Sequence, residues 1–133
     1  MKYLSREDLL EFLGEREEHP ELNEHLSSYV DRFVAEKDYQ VLEKLFAAGA
    51  SATSADPTND YLRLLLHEYE VERTLNGPEI RSIMELLLKN GANPNRVTDN
   101  NLRAYDYALS HKTTEIVVLL EKYGADQTPR EPI

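Results

Sequence analysis

The dipeptide Gly-Ala closes three apolar segments of this chain. VLEKLFAAGASA reaches Gly49-Ala50, MELLLKNGANPN reaches Gly91-Ala92, and IVVLLEKYGADQ reaches Gly124-Ala125. The chain has five glycines, so most of them are spent on this one position. Ahead of Gly91, Ile80, Ile83, Met84 and Leu87 recur at helical spacing; ahead of Gly124, so do Ile116, Leu119, Leu120 and Tyr123. A glycine just past such a helix can take left-handed backbone without a Cβ clash, and the small alanine after it lets the loop fold back. The glycines lie 42 and then 33 residues apart, so the shorter interval reads as a period and the longer one as that period with an insertion. The chain is therefore expected to be a set of repeated helical units.

Start signals agree. Asn76-Gly77-Pro78-Glu79 predicts a turn followed by a helix with proline at its first position, where the missing N–H costs nothing. Thr113 and Asp38 are placed to cap the helices that follow them. Upstream of each lies another apolar stripe: Leu22, Leu26, Tyr29, Val30, Phe33 and Val34; then Leu62, Leu65, Leu66 and Tyr69 behind a cap at Asp60; then Tyr105, Ala108 and Leu109 in a helix starting near Asn101. The earliest segment, SREDLLEFLGEREE, sets Ser5 and Asp8 as a capping box with Leu9, Leu10, Phe12 and Leu13 as its apolar face. No segment alternates as a strand does. The expected fold class is all-α, about seven helices in antiparallel pairs joined by short loops.

Paired helices repeating near 33 residues and ending in Gly-Ala resemble ankyrin repeats. Residues 99–126 carry the likeness best: Asp99 at the loop, Asn101 where the family has a turn glycine, Ala104-Tyr105-Asp106 for Pro-Leu-His, Ala108 in the core, Glu115-Ile116-Val117, and Gly124-Ala125-Asp126. Arg103 replaces the threonine that opens the first helix, Lys112 the glycine between helices, and Lys44 a leucine. The resemblance implies one domain, an ankyrin-like stack of about three repeats with an N-terminal capping helix. Residues 1–20 are the cap, 22–55 a degenerate first repeat, 56–95 a second repeat with the insertion, 96–126 the third, and 127–133 a frayed tail. It also implies that inter-repeat loops and first helices face a partner. Asp56, Asn59, Tyr61 and Arg63 fall there in the second repeat, and Arg96, Asp99, Asn100, Arg103 and Tyr107 in the third. Tyrosine and arginine suit such a face, because they bury large area or make forked hydrogen bonds. Glu70, Glu72 and Arg73 lie in or beside the insertion, which in repeat proteins often sits on the binding face.

Composition narrows the function. The 133 residues carry a formal charge of −10, much of it in Glu7, Asp8, Glu11, Glu15, Glu17, Glu18, Glu21 and Glu24, against which the same stretch sets Lys2, Arg6 and Arg16. Such a surface repels phosphate and attracts a basic partner, so no direct nucleic-acid contact is expected. Cysteine is absent, which removes disulfides and thiolate metal sites. No apolar run approaches the roughly 20 residues of a membrane span, and acids interrupt the N-terminal segment where a signal peptide needs an apolar stretch. A cytoplasmic monomer is expected.

No phosphate loop, nucleophile elbow or catalytic triad is visible, and no enzyme activity, cofactor or metal is expected. His67 lacks the second histidine of a zinc motif; His19, His25 and His111 are scattered; DPTND and DNNLR lack the glycine and glutamate of a calcium loop. The reading that remains is a protein–protein interaction module, specifically a small acidic inhibitor or immunity protein that neutralises a basic partner such as a toxin. The alternatives are an acidic nucleic-acid mimic that blocks DNA-binding proteins and a generic ankyrin scaffold. A mimic needs an unbroken stripe of acids, and lysines and arginines interrupt them after residue 30.

Overall fold

The structure is a computed structural model that describes residues 4–54, 60–97 and 101–128, the side chains of 16 and 72–75 excepted. Within these residues every regular element is helical. The chain groups into two compact units, Met1–Ser51 and Ala52–Ile133.

In the first unit, α1 (Arg6–Gly14) is followed by two 3-10 turns, Arg16–Glu18 and Pro20–Glu24, and then by α2 (Leu26–Ala35) and α3 (Tyr39–Ala47). The apolar stripe expected from Leu22 onward is split. Leu22 is buried in the second 3-10 turn, and α2 begins only at Leu26 because His25 leaves helical backbone at φ −119°, ψ 4°. Leu26, Tyr29, Val30, Phe33 and Val34 are buried together with Val41, Leu42, Leu45 and Phe46 of α3. Each such side chain contributes about 1.5–3 kcal/mol by leaving water. Of the face expected on α1, Leu9 is buried and Leu10, Phe12 and Leu13 are half-buried.

Asp38 holds this unit's corner. Its carboxylate accepts the Val41 N–H at 3.2 Å as the N-cap of α3 and the Arg6 Nε–H at 2.6 Å from the start of α1. Burial pushes its pKa up, but the bonds from Arg6 and Val41 outweigh this and hold it below the ordinary carboxylate range. Ser5 caps α1 by accepting the Asp8 N–H at 3.2 Å.

In the second unit, α4 (Tyr61–Lys89) precedes a hairpin of α5 (Ala104–Ser110) and α6 (Thr114–Lys122). The helix is a correction to the sequence reading. The turn expected at Asn76-Gly77 does not form, and α4 runs through Gly77 and Pro78 as one element of 29 residues. Proline has no N–H for the carbonyl four residues before it, so this continuity is costly locally, by about 3 kcal/mol relative to alanine. Burial outweighs that cost: Leu62, Leu65, Leu66 and Tyr69 before the proline, and Ile80, Ile83, Met84 and Leu87 after it, are all buried. In α5 and α6 the core takes Tyr105, Ala108, Ile116, Leu119 and Leu120, while Leu109, expected there, is 41% exposed.

The Gly-Ala phrase performs as expected. After α4 the Gly91 N–H donates to Leu88 O and the Ala92 N–H to Leu87 O; after α6 the Gly124 N–H donates to Glu121 O and the Ala125 N–H to Leu120 O; Gly49 and Ala50 repeat the pattern on Phe46 and Leu45. The three glycines have φ between 95° and 100°, and the paired bonds satisfy the last carbonyls of each helix. The hairpin turns use the same geometry with lysine. Lys37 (φ 55°) ends α2 and Lys112 (φ 58°) ends α5, and the next N–H donates to Phe33 O and Ala108 O respectively. Asn101, expected in left-handed backbone, has φ 60°.

Candidate functional site

The first half of α4 presents Asp60, Arg63, Leu64, His67 and Glu70 at spacings of three and four, which sets them along one helix face. With Leu66, and with Tyr107 and His111 of the α5 region, they line an open cleft of about 410 Å³. The guanidinium of Arg63 lies over the Tyr107 ring, 4.3 Å from its centroid, a cation–π contact that orients both groups. Leu64 is 39% exposed and His67 is exposed, so the cleft has an apolar wall open to solvent. Asp60, at its end, is buried, and burial pushes its carboxyl above the ordinary range against the pull of the Arg96 and Arg63 charges.

Glu70 ties the cleft together. One carboxylate oxygen accepts the Thr113 hydroxyl at 2.9 Å and meets His111 Nδ1 at 2.7 Å. Thr113 occupies the N-cap position of α6 as expected, but its side chain makes no capping bond; the hydroxyl is turned to Glu70 instead. The hydroxyl donates in this bond, and a carboxylate acceptor makes it a strong one.

Of the nine expected partner-facing residues, the structure brings Arg63 and Tyr107 together in the cleft, with Arg96 near enough to act on Asp60. Two others are corrected. Tyr61 is 3% exposed and belongs to the core. Arg103 is 3% exposed and directs all its donors inward: Nε and Nη2 to the Asp106 carboxylate at 3.0 Å each, Nη1 to Asn95 Oδ1 at 3.3 Å and Asp126 O at 2.7 Å, and Nη2 also to Thr128 O at 2.9 Å. It locks the segment after α6 onto the start of α5. Asp106, at the third helical position, also accepts the Arg103 N–H at 2.8 Å. The charge is buried because it is paired and fully hydrogen-bonded, the condition under which an interior arginine is tolerated. Asp56, Asn59, Asp99 and Asn100 lie outside the described residues, as do the side chains of Glu72 and Arg73.

Sequence reasoning missed Leu64, His67 and His111. A signal for the first two was present, since they continue the face begun by Asp60 and Arg63. His111 reaches the cleft only through the pairing of α4 with the hairpin, which no local pattern encodes. The cleft offers an aromatic face, a guanidinium, two imidazoles and two carboxylates around an apolar wall. That set offers hydrogen-bonding and charged groups beside an apolar surface. The chain matches no family of known proteins, no curated protein and no solved structure.

Proposed function

We propose that this chain is a protein–protein interaction module of ankyrin-like design, a small acidic inhibitor that binds and neutralises a basic partner such as a toxin. The observation that carries this reading is the exposure of Glu7, Asp8, Glu11, Glu15, Glu17, Glu18, Glu21 and Glu24, every one of which faces solvent. Of the bases expected to offset them, Arg6 is engaged by Asp38 and Gln40. A field of one sign steers a partner of the other sign and raises its association rate. The Arg63–Tyr107 cleft supplies the anchor that steering alone lacks, since arginine and tyrosine are favoured binding hot spots. The ankyrin-like part of the reading rests on the two hairpins, α2–α3 and α5–α6, which share turn geometry and Gly-Ala endings. In it, the end of α4 with Gly91-Ala92 acts as the second helix of a repeat whose first helix runs on in line.

The test is a tagged capture from native lysate, washed at low and at high salt, with bound proteins identified by mass spectrometry. One dominant basic protein, retained near one to one and weakened by salt, supports inhibition. Many DNA-binding proteins released together by salt point to mimicry of nucleic acid, and binding indifferent to salt removes the steering argument.

A further inference from the structure

The segment that leaves α1 turns twice within a few residues. Glu15 is the C-cap of α1, with its N–H on Phe12 O at 3.0 Å; the Glu18 N–H donates to Glu15 O at 2.9 Å; the Leu22 N–H then donates to His19 O at 3.1 Å. These turns bring one carboxylate oxygen of Glu15, one of Glu18 and a ring nitrogen of His19 within 4.8 Å of one another. Glu15 Oε2 stands 3.7 Å from His19 Nε2, close to the roughly 3.4 Å that two ligands of a tetrahedral zinc ion keep at ordinary bond lengths.

Two further features distinguish this group from a chance patch of acids. The imidazole is held in place: its ring stacks on Phe12 with centroids 3.9 Å apart and an interplanar angle of 4°. Its other nitrogen, Nδ1, faces Glu21 Oε1 at 3.4 Å. A carboxylate behind the ring, a clamped imidazole and two carboxylates in front is the order of groups in carboxylate–histidine–metal sites, where the rear acid fixes the tautomer and ring orientation. Beside the two carboxylates opens a cleft of about 410 Å³ lined by Leu13, Gly14, Glu15, Glu17 and Glu18, which leaves their outer side open to water. Two carboxylates this close repel each other, and a dication between them removes that repulsion.

We propose that Glu15, Glu18 and His19 bind a divalent first-row transition metal of the Zn²⁺ class, with Glu21 as the positioning residue behind His19. One nitrogen and two oxygen donors suit Zn²⁺ or Mn²⁺ better than Ca²⁺, which takes oxygen ligands alone and more of them. Three protein donors leave a position open for water or for a side chain of a bound partner. The site shares no residue with the α4–α5 cleft and does not rest on the proposed inhibitory role.

The experiment uses the full chain with any affinity histidines removed. Titration calorimetry with ZnCl₂ should show saturable one-to-one uptake with a micromolar dissociation constant. Substoichiometric Mn²⁺ should broaden the amide resonances of residues 15–21 first. His19→Ala and Glu18→Gln should each weaken Zn²⁺ binding at least about tenfold, and Glu21→Gln, which leaves all three ligands in place, should weaken it by about tenfold as well. Glu18 and Glu21 are exposed and His19 is half-buried, and far-UV circular dichroism checks that the variants fold. No saturable uptake at millimolar zinc overturns the proposal. So does His19→Ala binding as tightly as the parent, or broadening centred on Glu70 and His111 instead.

Discussion

Arg103 and Asp106 form a buried ion pair at the start of α5, 3.0 Å from Nη2 to Oδ1, with side chains 3% and 5% exposed. The pair does the work of a helix cap: Asp106 accepts the Arg103 N–H, and the Arg103 guanidinium donates to the carbonyls of Asp126 and Thr128. Arg103→Ala leaves a buried carboxylate without its cation and should cost about 3–5 kcal/mol in urea unfolding. Removing both partners, with Arg103→Met and Asp106→Leu, should cost less than the two single changes added together. Additive losses would show that the two residues act separately.

Pro78 decides whether α4 is one helix. Because α4 is one continuous helix of 29 residues, Pro78→Ala restores a main-chain hydrogen bond and should stabilise the protein by up to about 3 kcal/mol, read as a rise in urea midpoint. A proline serving as the first residue of a separate helix would make the same change neutral or harmful.

Lys37 and Lys112 sit in left-handed backbone at φ 55° and 58°. Glycine at either position should stabilise by about 0.5–1 kcal/mol, because it relieves a conformation that is costly for a side chain with a Cβ. Alanine at Gly91 (φ 97°) should destabilise by about 1–2 kcal/mol, although no atom stands in the way of the added Cβ. Thermal unfolding of the three variants checks both directions.

Tyr105 donates to Glu121 Oε2 at 2.6 Å, and this bond, with burial, pushes its phenol up to about 12. A raised folded pKa means stability that is full below the unfolded value near 10 and is lost as pH rises through about 12. Tyr105→Phe should cost about 1.5–3 kcal/mol at neutral pH and flatten the decline of stability in that alkaline window. Asp38 has the opposite sign. Its depressed folded pKa contributes stability above the unfolded carboxylate range, lost as pH falls through the folded value. Asp38→Asn should therefore weaken the protein at pH 7 and lessen its sensitivity to acid.

Tyr107→Ala removes the ring beneath Arg63 without touching the core around Tyr105. A partner captured by this protein should bind the variant at least about tenfold more weakly, near 1.4 kcal/mol or more, with circular dichroism unchanged. Equal affinity would move the anchor elsewhere.

Local chemistry in the sequence determined where helices end and which side chains leave water. Gly49, Gly91 and Gly124 mark three C-termini because backbone sterics favour glycine there, and the stripes of Leu26 to Val34 and Ile80 to Leu87 are buried because their spacing matches one helical turn. Ser5 and Asp38 are legible as caps for the same reason: the groups they satisfy lie three residues away. Tertiary structure decided what local rules left open. It carried α4 through Asn76-Gly77-Pro78, where buried apolar surface on both sides outweighs one lost hydrogen bond. It turned Thr113 from its own helix to Glu70, and it took Arg103 inside, because partners 23 and 25 residues along the chain meet its guanidinium only after α6 has folded back. Propensity and spacing act over a turn or two of chain, whereas the satisfaction of a buried charge depends on whichever groups the finished packing places around it.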